Sequence, residues 1–212
     1  METLTDSLSE QRNACYKNGQ SNLLSYEQYR QLIQELHAQN MVTGPEQTEA
    51  LLQYSLLNEQ RMNRWDKHYT PGSPITEALR RAPAGFHMVV IAEGWCGDAA
   101  QIVPALHAFA QKAKDWKFSI VLRDEHPEWI ALYLTQQAKA IPLAILFNEL
   151  GEYVTHWGPR PAEAVQLIQN AKANGISADI WKVALHKWYA SNKQSALEAE
   201  WKSILEGICE SH

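Results

Sequence analysis

Three of the 212 residues are cysteines, Cys15, Cys96 and Cys209, and one of them stands where a thiol can do chemistry. Cys96 follows a nearly continuous apolar run, Phe86 to Ala92, and precedes a segment that reads as helix to about Ala113. It therefore falls at a helix N-terminus. Unpaired N–H groups and the positive end of the helix dipole favour the thiolate there, the form that attacks disulfides and electrophiles. Asp98, two residues on, opposes this. At an effective dielectric of roughly 40 and a separation of about 7 Å, the repulsion is on the order of 1 kcal/mol, close to one pKa unit. The two effects are similar in size and opposite in sign, so no strongly acidic thiol is expected. Three widely spaced cysteines are also too few, and odd in number, for a disulfide framework.

The elements that would position this thiol can be read from spacing. Residues 1–20 are polar and aperiodic, and predict a loose arm. Ser25 can cap a helix with Glu27 and Gln28 in its first turn and Tyr29, Leu32, Ile33 and Leu36 recurring. After Gly44-Pro45, a second helix is expected from Thr48 to about Trp65, with Leu51, Leu52, Leu56 and Met62 inward. A loop at 71–74 and a short helix over 75–81 complete a helical extension over 21–85. The run 86–92 reads as a central strand covered on both faces. Phe118 to Leu122 follows as a strand, Pro127 to Gln137 as a helix, Leu143 to Phe147 and Tyr153 to Trp157 as strands, and Pro161 to Ala173 as a helix. The order is β-α-β-α-β-β-α, with the first two strands parallel and joined by a right-handed crossover. A long helical segment from about 178 to 208 lies in a C-terminal extension, 176–212.

Strand, then Trp95-Cys96-Gly97-Asp98-Ala99, then a helix containing Pro104, resembles the thioredoxin superfamily. The pattern there is WCGPC, with a proline eight positions after the first cysteine, as Pro104 is after Cys96. A proline preceded by a cis bond before the third core strand is matched by Ile141-Pro142, and a glycine closing the hairpin by Gly158. Leu122-Arg123-Asp124-Glu125 and Trp157-Gly158-Pro159-Arg160-Pro161 are similar to a bacterial thioredoxin-like subfamily with helices before and after the core. The resemblance implies an α/β fold with a four-stranded mixed sheet over 86–175. It also implies catalysis by Cys96 and substrate binding by Trp95, Gly97, Ile141 and Pro142, with Arg160 a candidate contact by its charge. Asp98, which replaces the usual proline, is either a catalytic proton carrier or a first-turn acid that stabilises the helix. Two departures matter. Ala99 replaces the second cysteine, so a mixed disulfide on Cys96 would need an outside thiol, or Cys15 or Cys209, to resolve it. Val89 and Val90 stand where thioredoxins bury an aspartate that assists proton transfer.

The remaining chemistry-bearing residues have plainer readings. Arg123 and Arg160 either bring positive charge to Cys96 or an anionic ligand, or form pairs such as those with Asp124 or Glu125. His87, His107, His126 and His156 are scattered, so neither a metal nor a cofactor is expected. Trp181, Trp188 and Trp201 fall on an amphipathic stripe that suits core packing. A net charge of −5 without a basic block argues against nucleic acid or an anionic membrane as partner. No apolar run reaches the roughly 18–20 residues of a membrane span, and the N-terminus lacks the pattern of a secretory signal; a cytoplasmic location is the expectation.

Three functions fit these residues. The favoured one is a monothiol thiol–disulfide oxidoreductase acting on a protein or low-molecular-weight disulfide. The others are a non-catalytic module binding an extended peptide beside Pro142, and a thiol redox sensor. The helical extensions suit either self-packing or a homodimer.

Overall fold

The apolar run before Cys96 becomes the middle of a sheet. The computed structural model describes residues 4–135 and 137–210. Its elements begin with the helices α1 (Leu4–Asn18), α2 (Tyr26–Ala38), α3 (Glu49–His68) and α4 (Ser73–Arg81). The core follows as β1 (His87–Ala92), α5 (Gly97–Lys112), β2 (Lys117–Leu122), α6 (Pro127–Ile130), β3 (Leu143–Phe147), β4 (Tyr153–Trp157) and α7 (Ala162–Ala173). Helices α8 (Ala178–Asn192) and α9 (Ser195–Glu210) close the chain. The strands are ordered β2-β1-β3-β4. β2 runs parallel to β1, while β1–β3 and β3–β4 are antiparallel. β1 is buried at every position, and so is β3, because helices cover both faces. This is an α/β fold with a four-stranded mixed sheet and helical extensions at both ends.

The extensions pack on the core. In α2, the Ser25 side chain and Gln28 form a reciprocal capping box. Arg30 of α2 is buried and reaches Glu59, Asn63 and Asp66 of α3, with a 2.9 Å ion pair to Glu59. Leu197, Trp201 and Leu205 of α9 are fully buried. Glu200 of α9 accepts from Trp157 Nε1 and from the amide of Ala162, both at 2.7 Å, and so supplies the N-terminus of α7 with a carboxylate.

Several elements differ from their sequence reading. Residues 4–18 are helical rather than a loose arm; residues 1–3 lie outside the described chain. The helix is held by tertiary contacts. Tyr16 stacks on Phe147 at 4.1 Å and bonds His87 at 2.8 Å, Arg12 reaches the Leu132 carbonyl at 3.1 Å, and Asn13 accepts from the amide of edge-strand residue Tyr153 at 2.7 Å. Leu56 of α3 is exposed, and the inward stripe instead includes Ser55, Asn58 and Trp65. Helix α6 ends at Ile130 rather than Gln137; Gln136 lies outside the described residues. The segment 178–208 is two helices, broken where Lys193 and Gln194 adopt left-handed backbone with φ of 50° and 71°. At the break, the Gln194 side-chain amide donates to the Gln101 carbonyl of α5.

Candidate functional site

Strand β1 delivers the chain to the motif, and one backbone bond turns it. The Cys96 amide donates to the Glu93 carbonyl at 3.1 Å, and Cys96 becomes the N-cap of α5. The thiol is 8% exposed and donates to the Ile141 carbonyl at 3.4 Å. The Ile141–Pro142 peptide is cis, as is Gly158–Pro159. Ile141 and Pro142 are both buried, behind the sulfur. Gly158, at φ 144°, is pressed against them: a Cβ there would lie 2.4 Å from the Pro142 carbonyl oxygen. Only glycine tolerates both that backbone and that approach.

Burial pushes the Cys96 thiol up to about 12, and the Asp98 charge adds to the rise. The Ala99 and Asp98 amides and Arg160 pull the other way, but neither amide closes a hydrogen bond to the sulfur. The sequence balance of dipole against Asp98 omitted desolvation, which is the largest cause. At neutral pH the thiol is protonated.

Asp98 is 7% exposed and its two oxygens are both engaged. One is 2.5 Å from Arg160 Nη2, and the other accepts from the Tyr189 hydroxyl at 2.8 Å. Arg160 comes from the loop after β4 and Tyr189 from α8, so the carboxylate ties three elements together. That arrangement makes Asp98 an anchor for α8. Arg123 forms the local pair expected of it, with Asp124 at 2.7 Å, and lies 4.8 Å over the Trp95 ring.

Two helices outside the core form the walls. Asn58 of α3 donates to the Gly94 carbonyl at 3.0 Å and accepts from Arg61 at 2.8 Å. Gln101 of α5 accepts from Trp65 Nε1 of α3 at 2.7 Å and meets His186 Nδ1 of α8 at 3.3 Å. Gly97 lies directly beneath α8, since a Cβ there would be 3.0 Å from the His186 ring. Between these elements is a pocket of about 290 Å³ containing Trp95, Cys96, Gly97, Asp98 and Arg160 from the core. Leu51, Tyr54 and Arg61 of α3 and Trp181, Lys182, Leu185 and His186 of α8 complete it. Ile141 and Pro142 are not in its lining. A larger open groove of about 660 Å³ between α7 and α8 holds one carboxylate, Glu163, and no nucleophile.

Glu93 was not singled out by sequence. It is fully buried three residues before Cys96, and burial raises its carboxyl to about 7. One oxygen accepts from the Asp124 amide at 2.9 Å, the nearby Thr43 hydroxyl acts to lower the pKa, and the second oxygen has no partner. Its signal was available: it is the one acidic residue between a nearly all-apolar strand and the motif. Arg61, Lys182, His186 and Tyr189 were missed for another reason, since their place depends on how α3 and α8 dock.

Neither other cysteine joins the site. Cys15 lies near Glu128 and Tyr133, and Cys209 faces the Arg81 carbonyl. Among the described residues, no three His, Cys, Asp or Glu converge as metal ligands, and no helix is long and apolar enough to cross a membrane.

The strand–motif–helix geometry has a counterpart among known families. The family model described as thioredoxin matches residues 44–172, more than half of the chain. The chain belongs to the thioredoxin family. The match begins at Gly44, so it takes in α3 and α4 as well as the sheet and its helices. No curated protein matches the chain. Two solved structures resemble it over 87% of its length. A protein of unknown function from Pseudomonas aeruginosa is 18% identical, covered over 98% of its own chain, with a TM-score of 0.49. An HIV epitope-scaffold is 16% identical, covered over 99%, with the same TM-score.

Proposed function

We propose that this thioredoxin-family protein is a ligand-binding module, in which Cys96 is a protonated thiol at the floor of a small pocket. The observation that carries this reading is the state of the sulfur. It is buried, it donates its proton to the Ile141 carbonyl, and burial raises its pKa, which favours the protonated thiol at neutral pH. A pocket of about 290 Å³ suits a small molecule, at the lower end of ligand-site volumes. Pairing of an extended peptide with the segment before Pro142 is disfavoured, because Ile141 and Pro142 are buried and the Ile141 carbonyl is occupied.

A second reading is monothiol exchange at Cys96 with a low-molecular-weight disulfide. The Ala99 and Asp98 amides and Arg160 favour it, since all three lower the thiol pKa. Neither Cys15 nor Cys209 lines the pocket, so an external thiol would resolve the mixed disulfide.

Turnover separates the two. Reduction of insulin, or of a glutathione mixed disulfide, by the wild type is expected to match that by Cys96→Ser. The serine hydroxyl can replace the thiol as donor to Ile141, so the variant keeps the fold. Turnover present in the wild type and lost in Cys96→Ser would establish the second reading instead.

A further inference from the structure

The charges around the pocket do not balance. Asp98 is the one carboxylate in its lining, and Arg160 and Tyr189 occupy both its oxygens. Arg61 has only the neutral Asn58 side chain as hydrogen-bond partner, and among the described residues neither Arg61 nor Lys182 forms an ion pair. Arg61 is half-buried, where an unpaired charge is costly. Its effect reaches its neighbours. His186 is held neutral, pushed down to about 4 by burial and then by Arg61. Arg61 is itself pushed down by burial and by Arg64; Asp98 acts the other way, but across a distance too long for an ion pair. A chain with a net charge of −5 thus carries a net positive pocket. Apart from the neutral His186, the rest of the lining is mostly apolar or aromatic. Tyr54, Trp95 and Trp181 present rings, with Lys182 5.7 Å over the ring of Tyr54.

We propose that the pocket over Cys96 takes a small organic anion, whose acidic group meets Arg61 and Lys182 and whose flat apolar part lies against Tyr54, Trp95 and Trp181. This rests on the pocket reading given above and names the chemical class of its ligand. The anion would supply the charge that Arg61 lacks, and the low-dielectric walls would strengthen the attraction beyond its value in water.

Cys96 itself can report on this charge preference. Iodoacetate and iodoacetamide are close in size and differ by one negative charge. Each reacts when the thiolate sulfur forms a bond to the CH2 carbon and iodide leaves. The thiolate fraction cancels in the ratio of their rates. The ratio is measured at Cys96 by peptide mass spectrometry near pH 9, in the folded protein and in the urea-unfolded chain. The folded ratio, iodoacetate over iodoacetamide, is expected to exceed the unfolded one roughly fivefold or more. About 1 M salt is expected to reduce the excess. Arg61→Gln and Lys182→Gln are each expected to lower the ratio severalfold, and Lys182 is exposed enough for its variant to fold.

A folded ratio at or below the unfolded value overturns the anion proposal while leaving the pocket open. Labelling of the unfolded chain with neither reagent reaching Cys96 in the fold overturns the proposal by showing the pocket closed. Neither result depends on whether disulfide turnover occurs, so the two readings fail separately.

Discussion

Cys96 and Glu93 stand three residues apart, and both are shaped by desolvation. Cys96 is buried as a neutral donor, and its pKa is raised because the thiolate would lose water without gaining a full hydrogen bond. The motif around Cys96 was legible from spacing alone, but its burial was not, because the covering residues lie at 51–61 and 181–186. Glu93 binds its proton more tightly in the fold than in the unfolded chain, with a pKa of about 7 against an ordinary 4.5. Its contribution to stability is therefore full below about pH 4.5 and is lost as pH rises towards 7, where the buried carboxylate must ionise. Glu93→Gln is expected to remove that loss and to be more stable than wild type at pH 8, by on the order of 2–3 kcal/mol. Near pH 4.5 the two should be nearly equal. Urea unfolding of both proteins at the two pH values checks this, and equal differences at both would contradict it.

At the scale of elements, α8 is tied to the site by Asp98 through Tyr189, by Gln101 through His186 and by the buried Leu185, and the Asp98 carboxylate is the one charged tie among them. Asp98→Asn would leave the half-buried Arg160 beside a neutral side chain, and is expected to cost about 2–3 kcal/mol. Tyr189→Phe removes one hydrogen bond to a charged group and should cost less, about 1.5–3 kcal/mol. In both, amide exchange over 178–192 should quicken more than over α9, which Trp201 and Leu205 anchor independently. Uniform quickening would mean that α8 is not separately held. The strands and helices of the core were legible because their apolar runs have the right period and are bounded by Gly and Pro. Three features were not. The break at Lys193–Gln194 uses left-handed backbone at residues with no special preference for it, and its reason is a contact with Gln101 in another element. Helix α1 has few apolar residues and is fixed by Tyr16, Arg12 and Asn13 against the sheet edge. The Trp181 stripe was read as core packing, yet Trp181 is only half-buried and forms part of the pocket wall.

At the scale of the whole molecule, the two extensions enclose what a bare thioredoxin sheet would leave open. Helix α3 supplies Arg61 and Tyr54, α8 supplies Lys182 and His186, and the core supplies the thiol between them. The family assignment rests on the core and α3, whereas the pocket needs α8 as well. The absence of a second cysteine at Ala99 fits this arrangement, since a protonated thiol under two helices has no use for a local resolving partner. The state of that thiol is the centre of the account. It is measured most directly by the rate of iodoacetamide alkylation at Cys96 in the native protein, followed by peptide mass spectrometry from about pH 6 to about pH 11. The rate is expected to climb about tenfold per pH unit with no plateau in that range. A plateau at or below about pH 8.5 would contradict it, by revealing an ordinary or acidic thiol ready for exchange.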